Sequence, residues 1–332
     1  MSHSNIALFV PHIGCPCRCS FCDQHSITMH AKSPSENDVH NAVNNALQSK
    51  NYNPNEGQIA FFGGSFTAIN RDYMLSLLKS AKEHIDNGDA KGIRISTRPD
   101  CIDREILDIL KKHSVTSIEL GAQSMSDNVL KLNQRGHSSD DVRNACKLIH
   151  EYDIELGLQM MTGLYGDDDD NAIYTANELI KLSPKTARIY PTVVFKNTML
   201  DKLRLSGEYI PQTVENAVKL GAKLIPMFEE NDIDVIRFGL HEADECNITG
   251  GAWHPAIAQL VQSEIIKENV VNQLSTLKKG EYEIGCSPKK ISDFIGQKRA
   301  NIKYFELQGY KCIVKANANL KGRQFTINER KH

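Results

Sequence analysis

Gly14-Cys15-Pro16-Cys17-Arg18-Cys19-Ser20-Phe21-Cys22-Asp23-Gln24 is the stretch whose reading decides the fold. It packs four of the nine cysteines into eight residues. Cys15, Cys19 and Cys22 form C-x3-C-x2-C, with Cys17 as an additional thiol inside the loop. Soft thiolates at such spacing select zinc, copper(I) or an iron–sulfur cluster. A closed zinc site wants four ligands, usually in two separated pairs, and no second Cys/His pair of that kind follows. A [4Fe–4S] cluster held by three thiolates keeps one iron open for chemistry. A redox or zinc cysteine cluster is the alternative at this point.

Outward from that loop the chain alternates. Ile6-Ala7-Leu8-Phe9-Val10 leads into it as an apolar strand. Strand-like runs follow at 58–62, 92–97, 116–121, 154–160, 187–190 and 233–238. Helical patterns lie between them, at 38–48, 72–86, 103–112, 126–132, 139–151, 171–182 and 213–231. Short β-branched strands separated by helices predict an α/β fold with a parallel sheet. The pattern fits a barrel and a doubly wound sheet equally well. No run of about 18 apolar residues predicts a membrane span. The N-terminus lacks the features of a signal peptide. Clustered cysteines beside five scattered ones suit a reducing cytosol and a metal site, so a cytoplasmic location is expected.

Further landmarks stand at strand ends. Ala60-Phe61-Phe62-Gly63-Gly64-Ser65 runs a strand into two glycines, which let backbone approach a ligand closely. Ile95-Ser96-Thr97-Arg98, Ser117-Ile118-Glu119-Leu120-Gly121-Ala122-Gln123, Asn133-Gln134-Arg135-Gly136-His137 and Leu158-Gln159-Met160 each put polar residues where an apolar run stops. Asp167 to Asp170 precede a helix and read as a solvated loop favouring the helix N-terminus rather than a hard-cation site.

The cysteine spacing, with an aromatic before the last cysteine, resembles the radical S-adenosylmethionine (SAM) superfamily. The order of the later motifs is similar to its branch of oxygen-independent coproporphyrinogen oxidases and the Elongator catalytic subunit. The resemblance covers roughly residues 5–265. It implies a partial (β/α)6 TIM-like barrel over residues 1–277. It implies a [4Fe–4S] cluster on Cys15, Cys19 and Cys22, with Cys17 a bystander. The open iron would chelate SAM, and one electron would cleave SAM to methionine and a 5′-deoxyadenosyl radical. SAM would be held by Phe21, Gly63, Gly64, Thr97, Gln123, Arg135 and Gln159. Arg135 would take the carboxylate, because a guanidinium pairs bidentately with one. An electron donor such as flavodoxin or ferredoxin is implied as well.

The substrate reading is looser. Glu119, Tyr190, Arg237, His241, Glu242, Trp253 and His254 can stack on and hydrogen-bond a flat heterocycle, and they form the expected substrate set. No catalytic side chain is assigned. Residues 232–265 resemble queuine lyase. That likeness implies a small nucleobase substrate and C–N cleavage of queuine to 7-aminomethyl-7-deazaguanine, a queuosine-salvage step. The alternative is an RNA-modifying enzyme of Elongator-like type without the acetyltransferase domain.

Net charge is −2 overall, but residues 278–332 carry 13 Lys/Arg against 5 Asp/Glu. This tail is read as a small basic α+β C-terminal module. Ile295-Gly296-Gln297-Lys298-Arg299-Ala300-Asn301-Ile302, between two short helical patterns, resembles the loop of a KH RNA-binding module, I-G-x-x-G-x-x-I. Arg299 stands where that loop has its second glycine. RNA is therefore a candidate partner, and a solvated basic face is the alternative.

Overall fold

A computed structural model describes residues 5–10, 19–22, 33–240 and 244–330. Seven strands form one parallel sheet in sequence order. They are β1 (Asn5–Val10), β2 (Gln58–Gly63), β3 (Gly92–Thr97), β4 (Val115–Gln123), β5 (Glu155–Thr162), β6 (Thr186–Pro191) and, beyond a short strand β7 (Val193–Phe195), β8 (Asp234–Phe238). The sheet curls into a half-barrel, with β1 and β8 as its edges. The expected partial barrel is borne out, and the sequence placed all seven strands within two residues of their ends.

One face of the sheet is apolar because the strands supply it. Ile59, Phe61, Ile93, Ile95, Ile118, Leu120, Ala187 and Ile189 are fully or almost fully buried. Helices fill the crossovers between strands. Their starts are encoded locally. Ser35 and Ser138 make reciprocal capping boxes with Asp38 and Asp141, opening Glu36–Leu47 and Ser139–Glu151. Asp103 and Asp168 cap Arg104–Lys112 and Asp169–Lys181. Asp168 to Asp170 thus act at a helix N-terminus, as expected.

Two compact units are present. The first comprises Met1–Thr213 and Met227–Trp253; the second comprises Val214–Pro226 and His254–His332. The second unit has its own core. Ile266, Val270 and Leu274 of the helix Ile257–Leu274 pack with Tyr282, Ile284, Phe294, Phe305 and Tyr310. Its sheet places β10 (Gly280–Cys286) between a parallel β11 (Tyr310–Ala316) and an antiparallel β12 (Phe325–Glu329). In the first unit, β7 pairs antiparallel with β9 (Ile248–Gly251). That ribbon and the helix Met199–Ser206 carry no periodic signal strong enough to be expected from sequence.

Candidate active site

The inner face of the half-barrel is polar. In its N-terminal half, charged side chains from successive strands close on one another. Arg94 donates through Nε to Gln58 Oε1 at 2.8 Å, through Nη1 to Glu119 Oε1 at 3.0 Å and through Nη2 to Glu155 Oε1 at 2.9 Å. Arg188 donates through Nη2 to Glu119 Oε1 at 2.9 Å, and its Nε lies 2.9 Å from Glu119 Oε2. Arg94 is 1% exposed and Glu119 4%, so these charges survive burial through mutual pairing. Glu119 was expected to face substrate; its Oε1 accepts from both arginines, and its Oε2 lies at ion-pair distance from Arg188. A lone arginine inside each apolar run, Arg94 and Arg188, was the sequence signal for this network.

Toward the strand C-termini the inner face changes character. Phe62, Ser96, Gly121, Gln159, Met161, Tyr190 and Arg237 are half-exposed there. At Gly63, φ is +118°, and an added Cβ would sit 2.3 Å from the Val10 carbonyl oxygen. Any side chain would push β1 and β2 apart, so the Gly63-Gly64 turn can exist only with glycine first. Gly64 N–H closes it on Val10 O at 3.1 Å.

Next to this turn, the Thr97 hydroxyl lies 2.8 Å from Ser65 Oγ and 2.6 Å from Thr67 Oγ1, while Thr67 donates to Cys101 O. At the end of β4 the register shifts between Gly121 and Gln123, and Gln123 takes a left-handed φ of 65°. Its Oε1 accepts from Gln159 Nε2 at 3.3 Å.

Arg135 reaches the cysteine loop. Its Nη1 donates to Cys19 Sγ at 3.4 Å and its Nη2 to Gly121 O at 2.7 Å. A Cβ on Gly121 would stand 2.9 Å from that Nη2, so glycine makes room for the guanidinium. Arg135 Nε is buried with no hydrogen-bond partner among the described residues, an open donor. Two residues on, His137 Nε2 donates to Ala122 O at 3.1 Å. Burial, and then the neighbouring Arg135 charge, hold its pKa down at about 4, so this imidazole is neutral.

The described segment of the loop is tied down at Ser20. Ser20 N–H donates to Asn133 O, and Ser20 Oγ donates to Asn133 Oδ1 at 2.7 Å. Leu200 N–H reaches Ser20 O, and Cys22 N–H turns back to Cys19 O at 3.1 Å. Phe21 packs against Val194, Leu200 and Tyr209. Cys15, Cys17, His241 and Glu242 lie outside the described residues. Trp253 donates through Nε1 to Glu245 Oε1 at 3.4 Å. His254 belongs to the second unit, where its Nδ1 accepts from Ala256 N–H just before the helix Ile257–Leu274. Cys19, Gly63, Gly64, Thr97, Gln123, Arg135 and Gln159 therefore gather at one end of the sheet. Missed by sequence reasoning were Ser65 and Thr67, which hold Thr97, and Asn133, which anchors Ser20.

A strand-end turn without side chain, a thiol-bearing loop and an open guanidinium donor define a site for a thiolate-held centre with a polar co-substrate beside it. The chain matches the radical SAM superfamily over residues 9–179 and the radical SAM C-terminal domain over residues 184–267. It belongs to the radical SAM superfamily, whose enzymes use a [4Fe–4S] cluster and SAM and need an electron donor. The described residues fit that cofactor pair: two thiols on one turn suit an iron–sulfur centre, and the Gly63 turn and Arg135 Nε leave polar backbone and a cation free beside it.

The chain is similar to an uncharacterized protein of Methanocaldococcus jannaschii, 37% identical over 122 residues, covering 36% of this chain and 38% of that protein. It is also similar to the tRNA uridine(34) acetyltransferase of Dehalococcoides mccartyi, 23% identical over 240 residues, covering 62% of this chain and 52% of that protein. In fold it is similar to the N-terminally truncated archaeal Elp3 of Methanocaldococcus infernus. There the TM-score is 0.65 at 18% identity, covering 84% of this chain and 65% of that structure. The chain thus spans about half or less of the length of these curated relatives. No described helix is long and apolar enough to cross a membrane.

Proposed function

We propose that this radical SAM enzyme modifies a nucleobase within RNA, with tRNA the first candidate. The observation that carries the reading is the match over 62% of the chain to a protein named for its action on uridine 34 of tRNA. The second unit supports it. Its loop at Lys298 and Arg299 holds both residues in left-handed conformation, with φ of 50° and 63°. Neither side chain makes a hydrogen bond among the described residues, which leaves two cations for phosphate contacts of the kind a KH-like loop makes. In this reading residues 1–277 carry the chemistry and 278–332 the RNA contact.

Bound together, cluster and SAM supply a 5′-deoxyadenosyl radical. The protein's own part is holding and shielding. Cys15, Cys19 and Cys22 would ligate the cluster. Gly63 and Gly64 would present backbone to the amino end of SAM, and Arg135 Nε would meet its carboxylate. Phe21, Thr97, Gln123 and Gln159 would line the remainder. Flavodoxin or ferredoxin is the expected reductant.

Queuine lyase, acting on the free base, is the competing activity. Of the two carboxylates that could accept a guanine-like edge, Glu119 already gives its Oε1 to Arg94 and Arg188, and Glu242 lies outside the described residues. One experiment separates the two. Anaerobic, cluster-loaded enzyme with a reductant and SAM is offered tRNA or queuine, and 5′-deoxyadenosine is measured with the mass of the recovered nucleosides. The RNA reading expects SAM cleavage to rise with tRNA, a nucleoside mass change, and loss of both at high salt. Salt-independent turnover of queuine alone would refute it.

A further inference from the structure

Arg188 and Arg237 stand opposite each other on the neighbouring parallel strands β6 and β8. Adjacent strands lie about 4.8 Å apart, so the two side chains start side by side on the inner face. Regular pairing would not produce this. Ala187 pairs with Val235, and an unbroken ladder would set Ile236 beside Arg188 and turn Arg237 outward. The register slips by one residue at this point, leaving Ile236 as the extra residue of a β-bulge, and Arg237 is turned inward.

Three arginines, Arg94, Arg188 and Arg237, stand against two carboxylates, Glu119 and Glu155, so one positive charge is left over for an anion. Glu119 is occupied by Arg94 and Arg188, and Glu155 by Arg94 and Ser117. Asp234 is exposed at the start of β8. Arg237 is half-buried and has no hydrogen bond or ion pair among the described residues. Beside it, the Tyr190 hydroxyl accepts from Arg188 Nη1 at 3.4 Å, which leaves the tyrosine proton to donate elsewhere. The Phe62 ring backs the Arg188 guanidinium at 5.3 Å.

The geometry points to an oxyanion subsite made by Arg237, the Tyr190 hydroxyl and the outer edge of Arg188, which takes a phosphate of the nucleotide substrate. Guanidinium forks match phosphate oxygens in pairs, and a hydroxyl donor completes the set. The inference rests on the RNA reading, which supplies the phosphate. The carboxylate of SAM has the same chemistry and is the competing occupant.

The test titrates full-length, cluster-loaded protein with inorganic phosphate at constant ionic strength, by calorimetry, with and without SAM. Phosphate is expected to bind once, whether or not SAM is present. Arg237→Gln should weaken it about tenfold, as expected for one lost charge-assisted contact, while Arg237→Lys restores part of it. Arg104→Ala, at an exposed arginine outside both basic sites, should bind as the parent does. Thermal melts of all variants establish that they are folded. Competition between phosphate and SAM, or equal phosphate affinity in Arg237→Gln, would overturn the subsite. RNA turnover on the same proteins is a separate readout. An unchanged KM for RNA in Arg237→Gln defeats the subsite and leaves the RNA reading standing. A parent enzyme that binds phosphate but never turns over RNA defeats the RNA reading instead.

Discussion

The two halves of the barrel's inner face are built from the same strands and handle charge in opposite ways. In the N-terminal half, Arg94, Glu119 and Glu155 satisfy one another, with Arg188 reaching down to join them. In the C-terminal half, among the described residues, Arg135 keeps a buried Nε without a partner and Arg237 is unpaired. A sheet can afford buried charge when it is paired, and it leaves charge unpaired where something else must bind. Pairing therefore separates scaffold from site on this face better than polarity does, since both halves are polar.

The comparison breaks most visibly at the cysteine loop. Cys19→Ala should lose essentially all cluster iron, and Cys17→Ala should keep it, by iron assay and visible absorption under anaerobic conditions. The opposite pattern would mean that the ligands are misassigned.

Stability should respond next, and in the sealed half alone. Glu119→Ala takes the carboxylate from Arg188 and leaves Arg94 with Glu155 and Gln58 alone, and removing one partner from a buried ion network costs about 3–5 kcal/mol. Arg237→Gln strands nothing and should cost under about 0.5 kcal/mol. Urea unfolding of both variants checks this, and equal losses would erase the distinction between the halves.

His137 lies at the C-terminal end of β4, bonded to Ala122 O. The unfolded chain takes up this proton near pH 6.5, the native state only near 4. Its contribution is present above pH 6.5 and is lost as pH falls through that window, on the order of 3 kcal/mol in all. His137→Gln should flatten the acid limb of stability against pH between 6.5 and 4. An unchanged limb would show that the imidazole is not held neutral.

The finest test concerns Arg135. Arg135→Ala should leave the iron content unchanged and weaken SAM binding by about 2 kcal/mol, for one charge-assisted bond. Unaltered SAM affinity would assign the guanidinium to the Cys19 sulfur and Gly121 alone.

Much of this was legible in the chain and some was not. Strand and helix positions followed from short β-branched runs and from Ser and Asp caps, which are local signals. That Cys19, Gly63, Gly64, Thr97, Gln123, Arg135 and Gln159 lie at one end of the sheet was legible because motif and strand end coincide, and the fold brings strand ends together. Glu119 was misjudged because its partners are remote: Arg94 lies 25 residues away in the chain and Arg188 69. Bulges defeat counting altogether. The slips at Gly121/Gln123 and Ala187/Arg188 arise from pairing between strands, and nothing in either strand by itself announces them. His254 looked like a pocket residue by its neighbours in sequence, yet its ring nitrogen serves the turn before a helix.

The loop at Lys298 and Arg299 carries an evolutionary consequence. Each residue sits where an L-side chain costs roughly 1 kcal/mol over glycine. Glycine at 299 would relax the loop and remove one of its two cations. A display library of this protein sorted for heat resistance alone should therefore drift toward Gly at 299, while one sorted for retention on RNA should hold Arg. The two selections would pull one codon in opposite directions.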